Sequence, residues 1–250
     1  MGVRRNILIT GASAGLGAQM ARDFAARGRS LALCARRLDR LTALRDELVT
    51  AYPGITVTVH QLDVNDHPQV FAVFEAARAE LGTLDRVIVN AGGGKGRPIG
   101  TGGFEINLQS ARTNFVAALA QCEAATGIFL AQGTGHLVMI SSMSAMRGLP
   151  RSMTTYAAAK AGVAALAEGV RADLLGTDIR VSTVYPGYIV SEANPADRRK
   201  PMMVDTARGV RAMVHAIERE RPKAQVPAWP WAPLGLLMRH APLRLVARLS

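Results

Sequence analysis

Short apolar runs alternate along the chain with longer segments in which apolar residues recur every three or four positions. The short runs have the length and composition of β-strands, and they cover residues 6–9, 31–34, 56–61, 86–89, 136–140 and 181–184, the last of which closes the series. The longer segments have the period of amphipathic helices, and they cover residues 15–27, 38–51, 69–81, 111–132 and 155–175. The pattern therefore predicts strands and helices in alternation.

Strands that alternate with helices form βαβ units, in which the strands run parallel and the helices cover both faces of one sheet. No internal repeat is evident, and a length of 250 residues suits one domain better than two. The sequence therefore predicts an α/β fold, a single doubly wound Rossmann-type domain over residues 1–250.

Three segments interrupt the alternation. Residues 92–103 are rich in glycine, residues 188–208 open with a polar stretch that contains two prolines, and residues 224–250 form a C-terminal tail. The first two segments follow strands, so we expect them at the carboxyl edge of the sheet, where open α/β sheets bind ligands. Residues 188–208 are accordingly predicted to form a substrate lid.

Composition excludes several classes of protein. Hydrophobic residues make up 49% of the chain and charged residues 20%, which is typical of a folded domain and not of a disordered or fibrous one. Two cysteines cannot form a disulfide framework, and the N-terminus has no secretory signal. No uninterrupted apolar stretch reaches ~18 residues, so no transmembrane helix is predicted. We expect a cytoplasmic protein.

The chain is strongly basic. Lysine and arginine number 30 against 19 acidic residues, a formal net charge of +11. Such a balance favours anionic partners such as phosphorylated small molecules, lipid surfaces or nucleic acid. The basic residues are scattered and not clustered, so the charge alone does not predict nucleic-acid binding.

A glycine-rich turn follows the first predicted strand. The residues predicted to hold a cofactor there are Gly11, Ser13, Ala14, Gly15, Leu16 and Gly17. Glycines let backbone N–H groups approach a pyrophosphate, and the N-terminus of the following helix adds a favourable dipole. The turn therefore predicts a dinucleotide site.

The end of the second strand bears on which dinucleotide binds. An acidic residue at this point usually binds the ribose 2′-OH of NAD, whereas arginine accommodates the 2′-phosphate of NADP. Here the strand is followed by Arg36 and Arg37, and the first acidic residue is Asp39. The guanidinium groups, helped by the hydroxyl of Ser13, favour NADP over NAD.

With these motifs in order, the chain resembles the short-chain dehydrogenase/reductase family over residues 5–191. The resemblance rests on the glycine turn and on a series of further short motifs. They are Asp63-Val64, Asn90-Ala91-Gly92, Asn114, Ser142, Tyr156 with Lys160, and Pro186-Gly187 followed by Ile189 and Ser191. The resemblance implies a Rossmann fold, a nicotinamide cofactor, and cofactor contacts from all of these motifs except Asn114 and Ser142.

The resemblance also implies the catalytic residues. Tyr156 and Lys160 are four positions apart, so they share one face of a helix. The lysine ammonium, together with oxidised cofactor, would lower the pKa of the Tyr156 phenol, which then exchanges a proton with a carbonyl or alcohol oxygen. Ser142 would hydrogen-bond that oxygen. Asn114 would hold a water in a proton relay through Lys160.

Two departures from the family pattern stand out. Ser142 lies 14 residues before Tyr156, one more than is usual in the family, and we place a one-residue insertion within residues 151–155. Ser144 is the alternative to Ser142. The second departure follows Pro186-Gly187, where Ser191 takes the place of a threonine and keeps its hydroxyl.

The remaining candidates carry weaker signals. His60, Asp63 and His67 match no common ligand spacing, so no metal site is predicted. The tail combines Trp229 and Trp231 with leucines and arginines. It either packs over the substrate pocket or a partner subunit, or lies on a membrane surface, although Pro242 interrupts any long helix.

The sequence thus predicts an NADP-dependent oxidoreductase that transfers a hydride between the cofactor and a carbonyl or secondary alcohol. A 3-oxoacyl-thioester reductase is the alternative within the same class, and a non-catalytic NADP-sensing or nucleic-acid-binding protein is the alternative outside it. We expect a homodimer or homotetramer that packs through the helices predicted at residues 111–132 and 155–175.

Overall fold

The computed structural model describes residues 2–192, 194–196 and 202–249. Seven strands form one sheet in the order β3-β2-β1-β4-β5-β6-β7, and every neighbouring pair is parallel. The strands are β1 (Asn6–Thr10), β2 (Ser30–Ala35), β3 (Val57–Gln61), β4 (Arg86–Val89), β5 (Thr134–Ile140), β6 (Asp178–Pro186) and β7 (Lys223–Val226). The strand order reverses between β1 and β4, which opens a crevice at the carboxyl edge of the sheet.

Helices cover both faces of the sheet. They are α1 (Gly15–Ala25), α2 (Leu38–Ala51), α3 (His67–Leu81), α4 (Phe104–Ala111), α5 (Ala117–Gln132), α6 (Thr154–Asp173), α7 (Thr206–Glu218), α8 (Ala228–His240) and α9 (Leu243–Leu249). One buried cluster joins the sheet to α1, α2 and α7, and a second joins the opposite face to α3, α5 and α6. The predicted doubly wound α/β fold is confirmed.

The C-terminal third contains elements that the hydrophobic pattern did not predict. The sheet continues beyond β6, because β7 pairs with it from Thr183↔Lys223 to Pro186↔Val226. The prediction that the strand of residues 181–184 closes the series is therefore wrong. Because Lys223 and Gln225 are polar, the hydrophobic pattern does not indicate a strand here. The strand is defined by its pairing with β6.

Helix α7 precedes the missed strand, and helices α8 and α9 follow it. The side chain of Asp205 accepts a hydrogen bond from the backbone N–H of Arg208 and so caps α7, which makes the last three residues of the predicted lid helical. The predicted tail is also largely helical, as α8 and α9. Part of the lid, residue 193 and residues 197–201, lies outside the described residues.

The longest helix begins earlier than predicted. A π-helical turn, Arg112–Val116, joins α4 to α5, so the helix runs without a break from Phe104 to Gln132. By length and composition alone it is apolar enough to cross a membrane, but over half of its most apolar window is buried inside the fold. Its inner face packs on the sheet and on α3, as in the core helix of a globular domain.

Candidate active site

The glycine turn lies between β1 and α1, at the carboxyl edge of the sheet. Gly11 adopts a φ of +67° and Gly15 a φ of +54°, both in the left-handed region that favours glycine. A Cβ on Gly17 would lie 2.2 Å from the carbonyl oxygen of Gly11, so this position has no space for a side chain. The turn is thus packed against the start of α1, and its backbone is free to approach a pyrophosphate.

Asn90 and Ala91 hold this turn in place from the neighbouring strand. The Asn90 Nδ2 donates to the carbonyl oxygen of Thr10 at 2.9 Å. The backbone N–H groups of Asn90 and Ala91 both donate to the Thr10 hydroxyl at 3.1 Å. These bonds fix the end of β4 to the end of β1, so the first two residues of the motif Asn90-Ala91-Gly92 support the turn from behind.

Gly92 lies where the catalytic candidates meet. A Cβ at this position would lie 2.9 Å from the Oδ1 of Asn114 and 3.3 Å from the Nζ of Lys160. The side chain of Asn114 therefore lies close to the ammonium group of Lys160, as the resemblance implies. Only a glycine leaves both groups undisturbed.

Asn114 is fully buried in the π-helical turn between α4 and α5. Its Oδ1 accepts from the N–H of Gly93 at 3.0 Å, and its Nδ2 donates to the carbonyl oxygens of Gly93 and Ser110 at 2.8 and 2.9 Å. A π-turn inserts a residue into the helical repeat, and such turns often occur at functional sites. Here the turn directs the amide of Asn114 toward the glycine-rich loop after β4.

Lys160 is a buried cation, with 5% of its surface exposed. Its Nζ donates to the carbonyl oxygen of Ile140 at 3.0 Å, and its own carbonyl accepts from the Ser141 hydroxyl at 2.8 Å. An ammonium has three N–H donors, so the bond to Ile140 leaves two for other partners. Burial lowers the pKa of Lys160 to about 8.

Tyr156 lies one helical turn before Lys160, and the Lys160 Nζ is 6.0 Å from the centroid of its ring. The sequence predicts that the ammonium together with oxidised cofactor lowers the pKa of the phenol. In the protein alone burial raises the pKa of Tyr156, and a side-chain hydrogen bond with Ser142 opposes that effect. The lowering by ammonium and cofactor together stays a prediction.

Ser142 is the serine that contacts the tyrosine. Its side chain hydrogen-bonds Tyr156, and its Oγ also accepts from the N–H of Ser144 at 3.1 Å. Ser144, the alternative, is buried, and its hydroxyl has no partner among the described atoms. The spacing difference coincides with a 3-10 turn, Arg151–Met153, directly before α6, in which Arg151 adopts a φ of +60°. A turn at this point absorbs an extra residue without moving Tyr156.

Asp63 and Val64 follow β3 on the far side of the crevice. The Oδ1 of Asp63 accepts from the backbone N–H and from the Nδ2 of Asn65, each at 3.0 Å. These bonds lower the pKa of Asp63, and the charge of Arg36 adds to the effect. Arg36 is therefore near Asp63, while Val64 is buried beneath it.

Arg37 occupies a different environment from its neighbour. It donates to the Ser13 hydroxyl at 3.2–3.3 Å and to the carboxylate of Glu192 at 3.1–3.3 Å. Arg40 donates to the same carboxylate at 3.1 Å. Arg37 and Arg40 thus bind an anionic group beside the glycine turn, and the Ser13 hydroxyl lies next to it on Arg37. We call Ser13, Arg37 and Arg40 the anion cluster.

The sequence missed two members of this arrangement, Arg40 and Glu192. Arg40 lies in the first turn of α2, three residues after the N-cap residue Arg37, so their short separation in sequence was a readable signal. Glu192 lies 155 residues beyond Arg37, and no local pattern connects them.

The motif after β6 lies beside the C-terminal tail. The N–H of Gly187 donates to the carbonyl oxygen of Val226 on β7 at 2.9 Å, beside Pro186. A Cβ on Gly187 would lie 2.1 Å from the indole ring of Trp231. The tail therefore packs over the end of β6.

Ile189 and Ser191 continue from this motif toward the glycine turn. Ile189 is buried and forms a bridge with Val204. The Cβ of Ser191 lies 3.4 Å from the position of a Cβ on Gly15. Ala14 is extended at the N-cap of α1, with Leu16 in its first turn. Most of the predicted cofactor residues therefore follow the carboxyl ends of the strands, and their contacts with a cofactor remain predictions.

The cysteines and the candidate metal ligands show no sign of a disulfide or a metal site in the described residues. Cys34 and Cys122 are buried free thiols. Within the described ranges, no group of three metal-ligating side chains lies close enough to hold an ion.

Comparisons with known proteins agree with this geometry. The family described as short chain dehydrogenase matches residues 5–201. The chain is 53% identical over 247 residues to an uncharacterized oxidoreductase of Mycobacterium tuberculosis (strain H37Rv), covering 99% of this chain and 98% of that protein.

Two solved structures share the fold. A short-chain dehydrogenase from Sphingobium yanoikuyae in complex with NADPH has a TM-score of 0.82 at 28% identity and covers 94% of this chain and 92% of that one. A short chain dehydrogenase/reductase from Burkholderia phymatum in complex with NAD has a TM-score of 0.85 at 22% identity, covering 100% and 98%. With the motifs, the crevice and these matches together, the chain belongs to the short-chain dehydrogenase/reductase family of oxidoreductases.

Proposed function

We propose that this oxidoreductase prefers NADP(H) and interconverts a carbonyl with the corresponding alcohol, with Tyr156 as the general acid and base. The preference for NADP rests on the anion cluster. There the carboxylate of Glu192 is in the position of an anionic ligand, bound by the guanidinium groups of Arg37 and Arg40, while the hydroxyl of Ser13 accepts from Arg37 beside it. The same donors suit a 2′-phosphate, whose charge and acceptor oxygens resemble those of a carboxylate.

The glycine turn suits a dinucleotide because its backbone is tightly folded at the start of α1. A Cβ on Gly17 would overlap the carbonyl oxygen of Gly11, so the absence of side chains lets the turn close, and the N-terminus of α1 presents backbone N–H groups. Residues Gly11 to Gly17 would hold the pyrophosphate, Asp63 and Val64 the adenine, and Lys160 with Ile189 and Ser191 the nicotinamide half. When bound, the nicotinamide supplies or accepts the hydride.

The chain's own residues handle the proton. Tyr156 is protonated at neutral pH because burial raises the pKa of its phenol. It can therefore donate a proton to a carbonyl oxygen, or remove one from an alcohol once nearby positive charge lowers that pKa. The Ser142 hydroxyl, already hydrogen-bonded to Tyr156, orients the substrate oxygen.

Lys160 and Asn114 resupply that proton. The pKa of Lys160, about 8, lies close to neutral pH, so its ammonium can lose and regain a proton. The Asn114 side chain lies near the Nζ, and its hydrogen bonds with Gly93 and Ser110 hold it in place. In this position it can hold a water between Lys160 and solvent.

We also propose that the protein is a cytoplasmic homo-oligomer. Val116 at the end of the π-helical turn and Leu119 on α5 are exposed and, with Phe71 on α3, line an open groove with a volume of about 320 Å³. On α6 the exposed residues include Ala158, Ala161 and Ala165, whose small side chains allow close helix packing. Both helices were predicted to mediate assembly.

The test is NADPH oxidation over a panel of small diketones, long-chain aldehydes, cyclic ketones and an acetoacetyl thioester. NADPH should be preferred to NADH, and Tyr156→Phe should lower kcat by ~10²–10⁴. Arg37→Ala should lower kcat/KM for NADPH about tenfold or more and leave that for NADH unchanged, because it removes two phosphate donors.

Arg45→Ala is the matched control, since Arg45 lies on the same helix and pairs with the adjacent Asp46. A preference for NADH would overturn the argument from the anion cluster. Full activity of Tyr156→Phe would overturn the proposed mechanism.

A further inference from the structure

The C-terminal helix α8 is fixed to the body of the enzyme by its inner side. Trp231 is buried against Tyr185, Met143 and Met146, and its ring meets that of Tyr188 edge to face at 5.2 Å. A Cβ on Gly235 would lie 2.8 Å from the Cε of Met143, so the helix rests directly on the segment after Ser142.

Arg147 caps the C-terminal end of α8. Its NH1 donates to the carbonyl oxygens of Arg239 and Ala241. A guanidinium at a helix C-terminus satisfies carbonyls that have no partner in the helix. Beyond it, Val246 is buried and holds α9 in place. The inner contacts therefore fix which side of the two helices faces solvent.

The outer side is apolar. Trp229 is 80% exposed, Leu236 64% and Leu237 60%. Leu243 and Leu245 on α9 are exposed as well. Neither the catalytic crevice nor the sheet uses these side chains. We call the five of them the outer face of the tail.

The charge around this face is mainly positive. Glu220 is the last acidic residue in the sequence, whereas the exposed residues Arg239 and Arg244 follow it. From the body of the enzyme, Glu168 on α6 is near enough to Arg239 to interact with it, but Glu168 also binds Lys223 at 2.8 Å and interacts with Arg171. The surface surrounding the leucines is therefore positive.

We propose that the outer face of the tail docks on an anionic phospholipid membrane. Leucines beside a tryptophan and flanked by arginines match the composition of segments that lie in the plane of a membrane interface. The leucines would enter the acyl boundary, while the arginines remain at the level of the headgroup phosphates and are attracted to them. The apolar part of the surface then contacts the acyl chains, and the basic part contacts the phosphates.

A second copy of this chain fits the same face less well. Closed dimers usually bring one patch against itself about a two-fold axis. The arginines of the tail would then face the arginines of the other copy, with no acidic residue from either tail to neutralise them. The structure therefore favours a lipid surface over self-association.

The test is co-sedimentation of the full chain with vesicles of phosphatidylcholine alone or mixed with phosphatidylglycerol. Binding should require the anionic lipid and weaken as salt is added. The double variant Leu236→Glu/Leu237→Glu should lower the partition coefficient about a hundredfold, because each leucine contributes apolar area that the bilayer would bury.

Leu175→Glu is the matched control, since Leu175 is 77% exposed and follows α6 at the opposite edge of the sheet. It should bind as the natural sequence does. A fluorescence measurement adds a direct readout: anionic vesicles should shift the tryptophan emission to the blue, and Trp229→Phe should abolish that shift while the buried Trp231 remains.

Three results would overturn the proposal: no sedimentation of the natural sequence with anionic vesicles, equal binding by the double variant, or a fall in solution mass of the double variant that identifies the face as a contact between copies.

Discussion

Two cations are buried at opposite edges of the sheet, and they differ in their hydrogen-bond and ion-pair partners. Arg86 lies at the start of β4, 1% exposed, and Lys160 lies beyond the ends of the strands, 5% exposed. Arg86 donates to the carboxylate of Glu218 at 2.6 Å. Among the described residues no carboxylate lies within ion-pair distance of Lys160, which donates to a neutral carbonyl.

Each of the three guanidinium nitrogens of Arg86 donates a hydrogen bond within the protein. Its Nε donates to the Nδ1 of His136 at 2.8 Å, and the Nε2 of His136 bonds the Ser182 hydroxyl at 2.8 Å. Glu220 lies 3.8 Å from the guanidinium and accepts from Arg4 at 2.8 Å. The Arg86–His136 bond requires a neutral imidazole, and burial followed by the charge of Arg86 lowers the pKa of His136 accordingly.

The difference separates structure from function. A buried cation with complete internal partners joins strands and loops, and gains nothing from a ligand. A buried cation with a neutral acceptor and spare donors keeps part of its bonding capacity for something bound later. By this criterion the edge at Arg86 holds the fold together, and the edge at Lys160 suits the chemistry that we propose.

The largest expected effect comes from Lys160→Met. The change should lower kcat/KM by ~10² or more, since it removes a proton-relay group and a cofactor contact. Stability at pH 7 should change little, because relief of the buried charge offsets the lost bond to Ile140. Urea unfolding beside steady-state kinetics measures both. A large loss of stability would mean that Lys160, like Arg86, is structural.

Arg86→Met should show the reverse pattern. The variant leaves Glu218 and Glu220 facing an apolar side chain, which should cost about 3–5 kcal/mol of unfolding free energy. Activity per folded molecule should stay within about twofold. The double variant Arg86→Met/Glu218→Gln should recover part of the stability in urea titrations. If it does not, the ion pair is not the reason for the loss.

The pH dependence of stability sharpens the same comparison. The pKa of Lys160 is about 8 in the folded state against 10.5 for the free group, so the unfolded chain binds more protons between these values. Stability therefore rises with pH in this window. Between pH 7.5 and 9.5 the natural sequence should gain about 2 kcal/mol relative to Lys160→Met.

Lys95→Met, a change at an exposed lysine, controls for the loss of one positive charge. Urea midpoints at intervals across the window measure the effect. A difference between the natural sequence and Lys160→Met that does not vary with pH would show that burial does not perturb this lysine.

The smallest effect is expected at Glu192. If the anion cluster binds a 2′-phosphate, the Glu192 carboxylate competes with it. Glu192→Gln should then lower KM for NADPH a few-fold, because an exposed ion pair opposes binding only weakly. KM for NADH should not change. Asp46→Gln, a charge-removing change elsewhere on α2, is the control, and equal effects from both variants would point to long-range electrostatics instead.

The hydrophobic pattern predicts the first six strands and most helices because each buries a face of its own. It fails for β7, whose Lys223 and Gln225 are polar and whose identity depends on pairing with β6. It fails at α7 for another reason: Asp205 as N-cap and the spacing of Val210, Met213 and Ile217 were readable signals, but the polar segment before them suggested a loop.

The candidate site shows the same division. Motif residues such as Tyr156 and Lys160 were predictable because one helix sets their separation. The contact between Glu192 and Arg37 was not, since it joins residues 155 positions apart. The rise that burial causes in the pKa of Tyr156 was not predictable either, because the hydration lost by a side chain depends on its packed surroundings and not on spacing.

The contact between Gly187 and Trp231 also limits how this sequence can vary. Position 187 needs glycine for reasons of space, since any Cβ there would overlap the indole. Each residue thus constrains the other across 44 positions of sequence. Related sequences that carry a side chain at the first position should carry a small residue at the second, and the two should be exchanged together or not at all.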